Sequence, residues 1–270
     1  MSAYEKLKRA TEKGLHICVG LDTDKDKIPA HLLSTDNPML EFNKVVIQNT
    51  FEDAAAYKIN FAFYESEGIK GIETMIGTLK LIPDSILVIA DAKRGDIGNT
   101  SKKYAQSVYD YYKYDSVTLQ PYMGYDSVSP FLEYKDKLNF ILSLTSNPSS
   151  NDFEKLNLSG GRFLYQEVIA KINEWNKFNN CGIVFGATNS DELKLNMNNL
   201  KNLPLLLPGV GAQGGSLKSI VDLFDNVDYH DYLINISRGL LYVDDSYNFG
   251  MQIKSKLIEY NNLIKSILNS

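Results

Sequence analysis

The 270-residue chain has two cysteines, three histidines and one tryptophan, and each scarcity closes off a class of chemistry. Cys18 and Cys181 lie in separate apolar runs, where a thiol behaves as a small hydrophobe. Two buried free thiols in a reducing compartment are therefore expected, with no disulfide framework. His16, His31 and His230 are scattered, and no Cys/His cluster has zinc spacing, so no metal site is expected. No histidine neighbours a strand-end serine, which removes a Ser-His-Asp triad. No apolar stretch approaches the roughly 18–20 residues of a membrane helix. The segment Met1–Gly14 is charged and lacks the apolar core of a secretory signal. The expectation is a soluble cytoplasmic protein with no membrane partner. A basic surplus is missing too: 28 Lys and Arg stand against 33 Asp and Glu, a net charge of −5. That argues against a nucleic-acid partner and leaves room for a small anion held by a few local cations.

What the chain does have is a 44% hydrophobic content, arranged as short apolar runs that alternate with helical periodicity. The runs are Leu15–Leu21, Ala54–Phe63, Ile86–Ala90, Ser116–Leu119, Asn139–Leu144, Gly182–Ala187, Pro204–Leu207 and Tyr232–Ile236. They are continuous rather than alternating, as expected of parallel strands buried on both faces. Helical spacing recurs over Ile97–Tyr112, Leu164–Trp175 and the amphipathic tail Met251–Leu268. Caps are expected at Asp126 or Ser127, and at Ser190 with Asp191 and Glu192. Asp24–Pro38 and Pro148–Gly161 have loop composition. Eight strand-then-helix units without a composition break predict one (β/α)8 TIM barrel over residues 1–270, ending in the C-terminal amphipathic helix. An open doubly wound sheet is less favoured, because no G-x-G-x-x-G follows the first run.

Catalytic groups of such barrels gather where strands end, so the polar residues there are the candidates. Lys58 lies inside an apolar run and must be paired to tolerate desolvation. Asp91 and Lys93 are two apart and share one strand face. Lys58, Asp91 and Lys93 thus predict an alternating charge array in the barrel mouth, or else an ion-pair network that only fixes packing. The glycine-rich run Gly209–Gly215 after the seventh run and Arg238 after the eighth together suggest a phosphate site. Asp22 reads either as a turn former or as an acceptor for sugar hydroxyls, and Ser146 either closes a turn or contacts a ligand.

The segment Asp91-Ala92-Lys93-Arg94-Gly95-Asp96-Ile97-Gly98-Asn99-Thr100 resembles the signature of the orotidine 5′-phosphate decarboxylase family, in its longer-chain branch. Pro121–Ser127, Thr145–Pro148, Phe185–Thr188, Pro208–Gly215 and Ser237–Gly239 resemble the same branch, in the expected order. The resemblance implies cofactor-free and metal-free decarboxylation of orotidine 5′-monophosphate to uridine 5′-monophosphate, the last step of pyrimidine nucleotide synthesis. It implies that Asp22, Lys58 and Asn60 hold the ribose, that Asp91 lies against the substrate carboxylate, and that Lys93 is the cation and proton donor at C6. Asp96 and Thr100 would reach a neighbouring subunit's site, making a homodimer. Ser146 would read the pyrimidine edge. Gln213 would bridge phosphate and pyrimidine, Arg238 would bind phosphate, and Pro208 and Ser237 would complete the substrate site. Gln120, Leu144 and Ser149 depart from residues common in the branch, on the pyrimidine-side loops. The rival readings are a Mg-dependent sugar-phosphate decarboxylase or synthase of the same superfamily, and a non-catalytic nucleotide-binding barrel.

Overall fold

A computed structural model describes residues 1–210 and 216–268. Eight parallel strands close in sequence order into a barrel: β1 Ile17–Gly20, β2 Ala56–Asn60, β3 Leu87–Arg94, β4 Ser116–Leu119, β5 Leu138–Leu144, β6 Cys181–Phe185, β7 Leu205–Pro208 and β8 Tyr232–Ile236. Each of the eight expected runs contains a strand, although the second, Ala54–Phe63, turns helical from Phe61. Their continuous apolarity has the anticipated cause, since each strand is buried on both faces. Ile17 and Val19, Tyr57 and Ile59, and Val88 and Ala90 point outward into the layer beneath the helices. Cys18, Ala56, Leu87, Ile89, Phe140, Val184, Leu206 and Leu233 fill the barrel interior. This period-2 alternation decides where charge goes. Continued up β2 and β3, the inward set leads from Ala56 to Lys58 and from Ile89 to Asp91. Both cysteines are free and buried, and burial pushes each thiol up to about 12.

The floor of the barrel is closed by a helix, Ala3–Thr11, whose Ala3 and Leu7 join the interior cluster. Ser2 and Glu5 form a capping box at its start. The tail helix Phe249–Leu268 buries Ile253, Leu257, Ile264 and Ile267 and packs against the helices Pro38–Thr50 and Leu217–Asp225. Among the described residues, no helix is long and apolar enough to cross a membrane.

Further local expectations shift. Ser190 is not a cap but the first residue of the helix Ser190–Leu200, which has Asn189 at its N-cap. The helix expected over Ile97–Tyr112 is α-helical only over Gly98–Ala105 and continues as a π-helical stretch, Gln106–Tyr111. The helix expected to be capped by Asp126 or Ser127 begins earlier, at Tyr125, after Gly124 at φ 90°. Ser127 Oγ instead donates back to the Gly124 carbonyl. The third run does not end at Ala90. β3 carries on through Asp91 and Lys93 to Arg94, with a bulge against β4: Ala90 pairs with Val117, yet the next pair is Arg94 with Leu119.

Candidate active site

The C-terminal ends of the strands hold a chain of alternating charge. Lys58 Nζ donates to Asp22 Oδ1 at 3.1 Å and to Asp91 Oδ2 at 2.8 Å. Lys93 Nζ donates to Asp91 Oδ1 at 2.6 Å. The Lys58 side chain is 4% exposed, Asp91 9% and Asp22 17%, while Lys93 is 53% exposed. The first three are therefore fixed in the wall, and the Lys93 ammonium is the member open to a ligand. Burial works against the Lys58 ammonium, but Asp91 and Asp22 outweigh it and raise its pKa. Burial would likewise raise the Asp91 carboxyl; Lys58 and Lys93 override it and hold that carboxyl well below the usual carboxylate range. Both charges persist across the physiological range.

Lys93 reaches this position through its backbone. It lies in the β3 bulge at φ 44°, the left-handed region, which costs a non-glycine residue about 1–3 kcal/mol. Its amide donates to Thr118 Oγ1 at 3.0 Å, and that hydroxyl donates to Asp91 Oδ1 at 3.0 Å. The loop after the bulge runs so close to β4 that a Cβ on Gly95 would lie 2.4 Å from the Gln120 carbonyl oxygen. Asp22 is held by its backbone: its carbonyl accepts from Tyr242 Oη at 3.1 Å, and the preceding Leu21 carbonyl accepts from Tyr64 Oη at 3.0 Å. Asn43 Nδ2 in turn donates to that tyrosine hydroxyl.

One cavity of about 160 Å³ gathers Asp22, Lys58, Asp91, Ser146, Pro208, Ser237 and Arg238, with Gly209, Val210, Asn235 and Gly239. Seven of the residues expected from sequence are thus brought together, and Lys93 joins them through Asp91. Asn60 does not line this cavity; its side chain accepts from the Ala62 amide and caps the helix Phe61–Glu65. Asp96 and Thr100 also stand outside it, on the loop and helix after β3, where Asp96 Oδ1 accepts from the Ile97 amide. Gln213 lies outside the described residues. A larger cavity of about 430 Å³ lies at the opposite ends of β3 and β4, beside the Lys6–Asp115 ion pair, and contains none of these groups.

The loop after β5 is set by contacts the sequence did not announce. Glu154 accepts from the Thr145 amide at 2.6 Å and from its hydroxyl at 2.9 Å, and Asn189 donates to the Thr145 carbonyl. Gly186 at the end of β6 lets that loop sit close: an added Cβ would lie 2.6 Å from the Ser146 amide nitrogen. Thr118 and Asn235 are the other unforeseen members. Asn235 Oδ1 and Ser237 Oγ are buried, without a partner among the described residues, in the cavity's lining. The available signal was the one that marked Lys58, a polar residue at an inward position of an apolar strand.

Comparison with known proteins agrees with this geometry. The profile of the "Orotidine 5'-phosphate decarboxylase / HUMPS family" matches residues 15–246. Orotidine 5′-phosphate decarboxylase of Dehalococcoides mccartyi (strain CBDB1) is 45% identical over 253 residues, covering 92% of each chain. Among solved structures, Leishmania donovani UMP synthase superposes with a TM-score of 0.88 at 36% identity, over 99% of this chain; the chain spans 57% of that protein's length. Leishmania donovani OMP decarboxylase gives a TM-score of 0.82 at 34% identity, over 97% of this chain and 100% of that one.

Proposed function

The chain belongs to the orotidine 5′-phosphate decarboxylase / HUMPS family, and from that premise we propose that it converts orotidine 5′-monophosphate to uridine 5′-monophosphate and CO2, closing de novo UMP synthesis. The observation that carries this reading is the Asp22–Lys58–Asp91–Lys93 ladder in the barrel mouth, with Arg238 across the same cavity. Decarboxylation breaks the bond from C6 to the carboxylate carbon. CO2 leaves, and the electron pair stays on C6 in the ring plane, where the ring π-system does not absorb it. Lys93 then delivers a proton from Nζ to C6 and regains one from solvent.

The magnitudes show why a ladder is needed. An ammonium at about 4 Å from the nascent carbanion contributes roughly 4 kcal/mol at an effective dielectric near 20. Enzymes lower barriers by about 8–23 kcal/mol, so Lys93 alone falls short. Binding energy from the remote phosphate, held by Arg238 with Gln213 bridging it to the pyrimidine and Pro208 and Ser237 completing the substrate site, supplies the rest by closing the site and excluding water. Asp91 lies against the substrate carboxylate, Asp22 and Lys58 hold the ribose with Asn60 beside them, and Ser146 reads the pyrimidine edge. The family profile also covers the sugar-phosphate branch, but the named relatives are orotidine-phosphate decarboxylases. The Lys58 ammonium also occupies the space between the two carboxylates that a divalent cation would need.

The active unit in this reading is a cytoplasmic homodimer of the 1–270 barrel, with Asp96 and Thr100 completing the partner's site. Its support is apolar exposure on the loops after three adjacent strands: Ile97, next to Asp96 in sequence, and Tyr122, Met123 and Phe153 are all exposed, with the Tyr122 and Phe153 rings in contact, as suits a face that meets a second copy. The decisive assay is loss of orotidylate absorbance with CO2 release by purified protein in EDTA. Absence of turnover rejects the decarboxylase, and turnover that needs added Mg2+ favours the sugar-phosphate type of chemistry.

A further inference from the structure

Thr118 is 2% exposed and sits on the inward face of β4, below the charge ladder. A hydroxyl has one donor and two acceptor sites, and this one is used in two directions. It donates to Asp91 Oδ1 and accepts from the Lys93 amide, each at 3.0 Å. The amide contact follows from the bulge. Between the pairs Ala90–Val117 and Arg94–Leu119, β3 spends four residue steps where β4 spends two. The regular ladder has no place for the Lys93 N–H, and a side chain from β4 takes it. Bulges re-aim side chains in this way, and here the side chain is the half-exposed ammonium that meets Asp91. Asp91 then accepts from three donors, Lys58 on Oδ2 and Lys93 with Thr118 on Oδ1, and Thr118 is the one among them that carries no charge.

We propose that Thr118 is a positioning residue for the decarboxylation, its hydroxyl fixing the β3 bulge and the Asp91 carboxylate so that the Lys93 ammonium is aimed at the reacting carbon. The proposal rests on the decarboxylase reading of the site. Thr118 has no contact with substrate in this role; it acts through Lys93 and Asp91. Misplacing a reacting group by about 1 Å costs on the order of a hundredfold in rate, whereas binding of the distant phosphate is untouched.

The test compares Thr118→Val, which keeps the shape and removes the hydroxyl, with Thr118→Ser, which keeps the hydroxyl. The expected result is a kcat about a hundredfold lower in the valine variant, with affinity for uridine 5′-monophosphate within about threefold of wild type and most of the kcat restored in the serine variant. A folded Thr118→Val with wild-type kcat overturns the proposal, and so does a serine variant as slow as the valine one. Loss of kcat and nucleotide affinity in parallel overturns it as well, because that pattern marks a general loss of structure. If the valine variant fails to fold, Thr118→Ala set against Thr118→Ser makes the same comparison. Wild-type enzyme in the same assay separates the two claims. If wild type is inert toward orotidylate, the functional reading fails and takes the proposal with it. If wild type turns over and Thr118→Val matches it, only the role of Thr118 fails.

Discussion

The Lys93 ammonium lies 2.6 Å from Asp91 Oδ1, although Lys93 stands at φ 44° in a bulged strand. The strained backbone presents a cation to solvent while its counter-charge stays in the wall. Removing the cation should therefore leave the wall standing, because Asp91 keeps Lys58 and Thr118. Lys93→Ala is expected to lower kcat by at least 10²–10³-fold, the range seen when one electrostatic stabiliser of a transition state is deleted. Affinity for uridine 5′-monophosphate should be retained, as measured by calorimetry. Near-normal turnover would remove Lys93 from the chemistry.

Lys58 should respond in the opposite way, through stability. Its side chain is 4% exposed and bridges two carboxylates. Lys58→Met leaves Asp91 buried with one ammonium fewer, and breaking a buried pair costs about 3–5 kcal/mol. An unfolding free energy lower by that amount, read as a lower urea midpoint without a change in slope, is the expected result. A loss under about 1 kcal/mol would show that solvent already reaches the pair.

The contrast between these two lysines separates what a sequence displays from what only folding creates. Lys58 was legible because the interior of a barrel strand tolerates charge only when it is paired, and its neighbours on β2 are apolar on both faces. Lys93 was legible only in part. A period of two placed it beside Asp91, but nothing in Asp91-Ala92-Lys93 announces a bulge or a positive φ, since both depend on register with β4. Thr118 was hidden for the same reason: Ser116–Leu119 reads as a uniform strand until its inward face is known. The capping box of Ser2 and Glu5 was present in the sequence, yet the segment read simply as charged, and its use in closing the barrel floor appears only with Ala3 and Leu7 packed inside. Asp96 and Thr100 stand outside the cavity of their own chain, and the reach expected of them depends on a second chain rather than on any strand pattern in this one.

The position of Asp96 outside its own cavity bears on assembly. If Asp96 serves the partner's site, Lys93→Ala and Asp96→Asn homodimers are both inactive, but a mixed dimer contains one site with both residues intact. Random re-association of equal amounts should then restore about a quarter of wild-type activity, because half the dimers are mixed and each has one working site of two. Sedimentation would confirm the dimer. No recovery on mixing would place Asp96 in service of its own chain.

Gly186 makes a narrower prediction, about the pyrimidine side. A methyl group there meets the backbone of Thr145 and Ser146, with the Ser146 nitrogen at 2.6 Å, and Glu154 with Asn189 holds that loop against retreat. Gly186→Ala should raise KM for orotidylate about tenfold, the equivalent of roughly 1.4 kcal/mol of lost binding, with Lys93 and Asp91 undisturbed. Unchanged KM in steady-state assays would mean that the loop yields.

At the far end of the barrel, His16 sets an acid limit on the fold. The ring is 1% exposed and stacks on Tyr232 at 4.0 Å. Nδ1–H donates to the Tyr232 carbonyl at 3.1 Å, and Nε2 has no partner among the described residues. A second proton would put a charge where nothing receives it, so burial depresses the imidazole from 6.5 to about 4, opposed by the bond to the Tyr232 carbonyl and, more weakly, by Asp231, with His230 adding a little. Between those two values the unfolded chain takes up a proton that the fold refuses. Stability therefore rises with pH from about 4 to 6.5 and is complete above that window. The shift corresponds to about 3 kcal/mol, lost progressively on acidification. His16→Phe keeps the stack and removes the titration, so its unfolding free energy should vary with pH by about that much less across the window. Parallel pH profiles for the two proteins, measured by urea denaturation, would show that the ring finds a proton acceptor or water in the folded state.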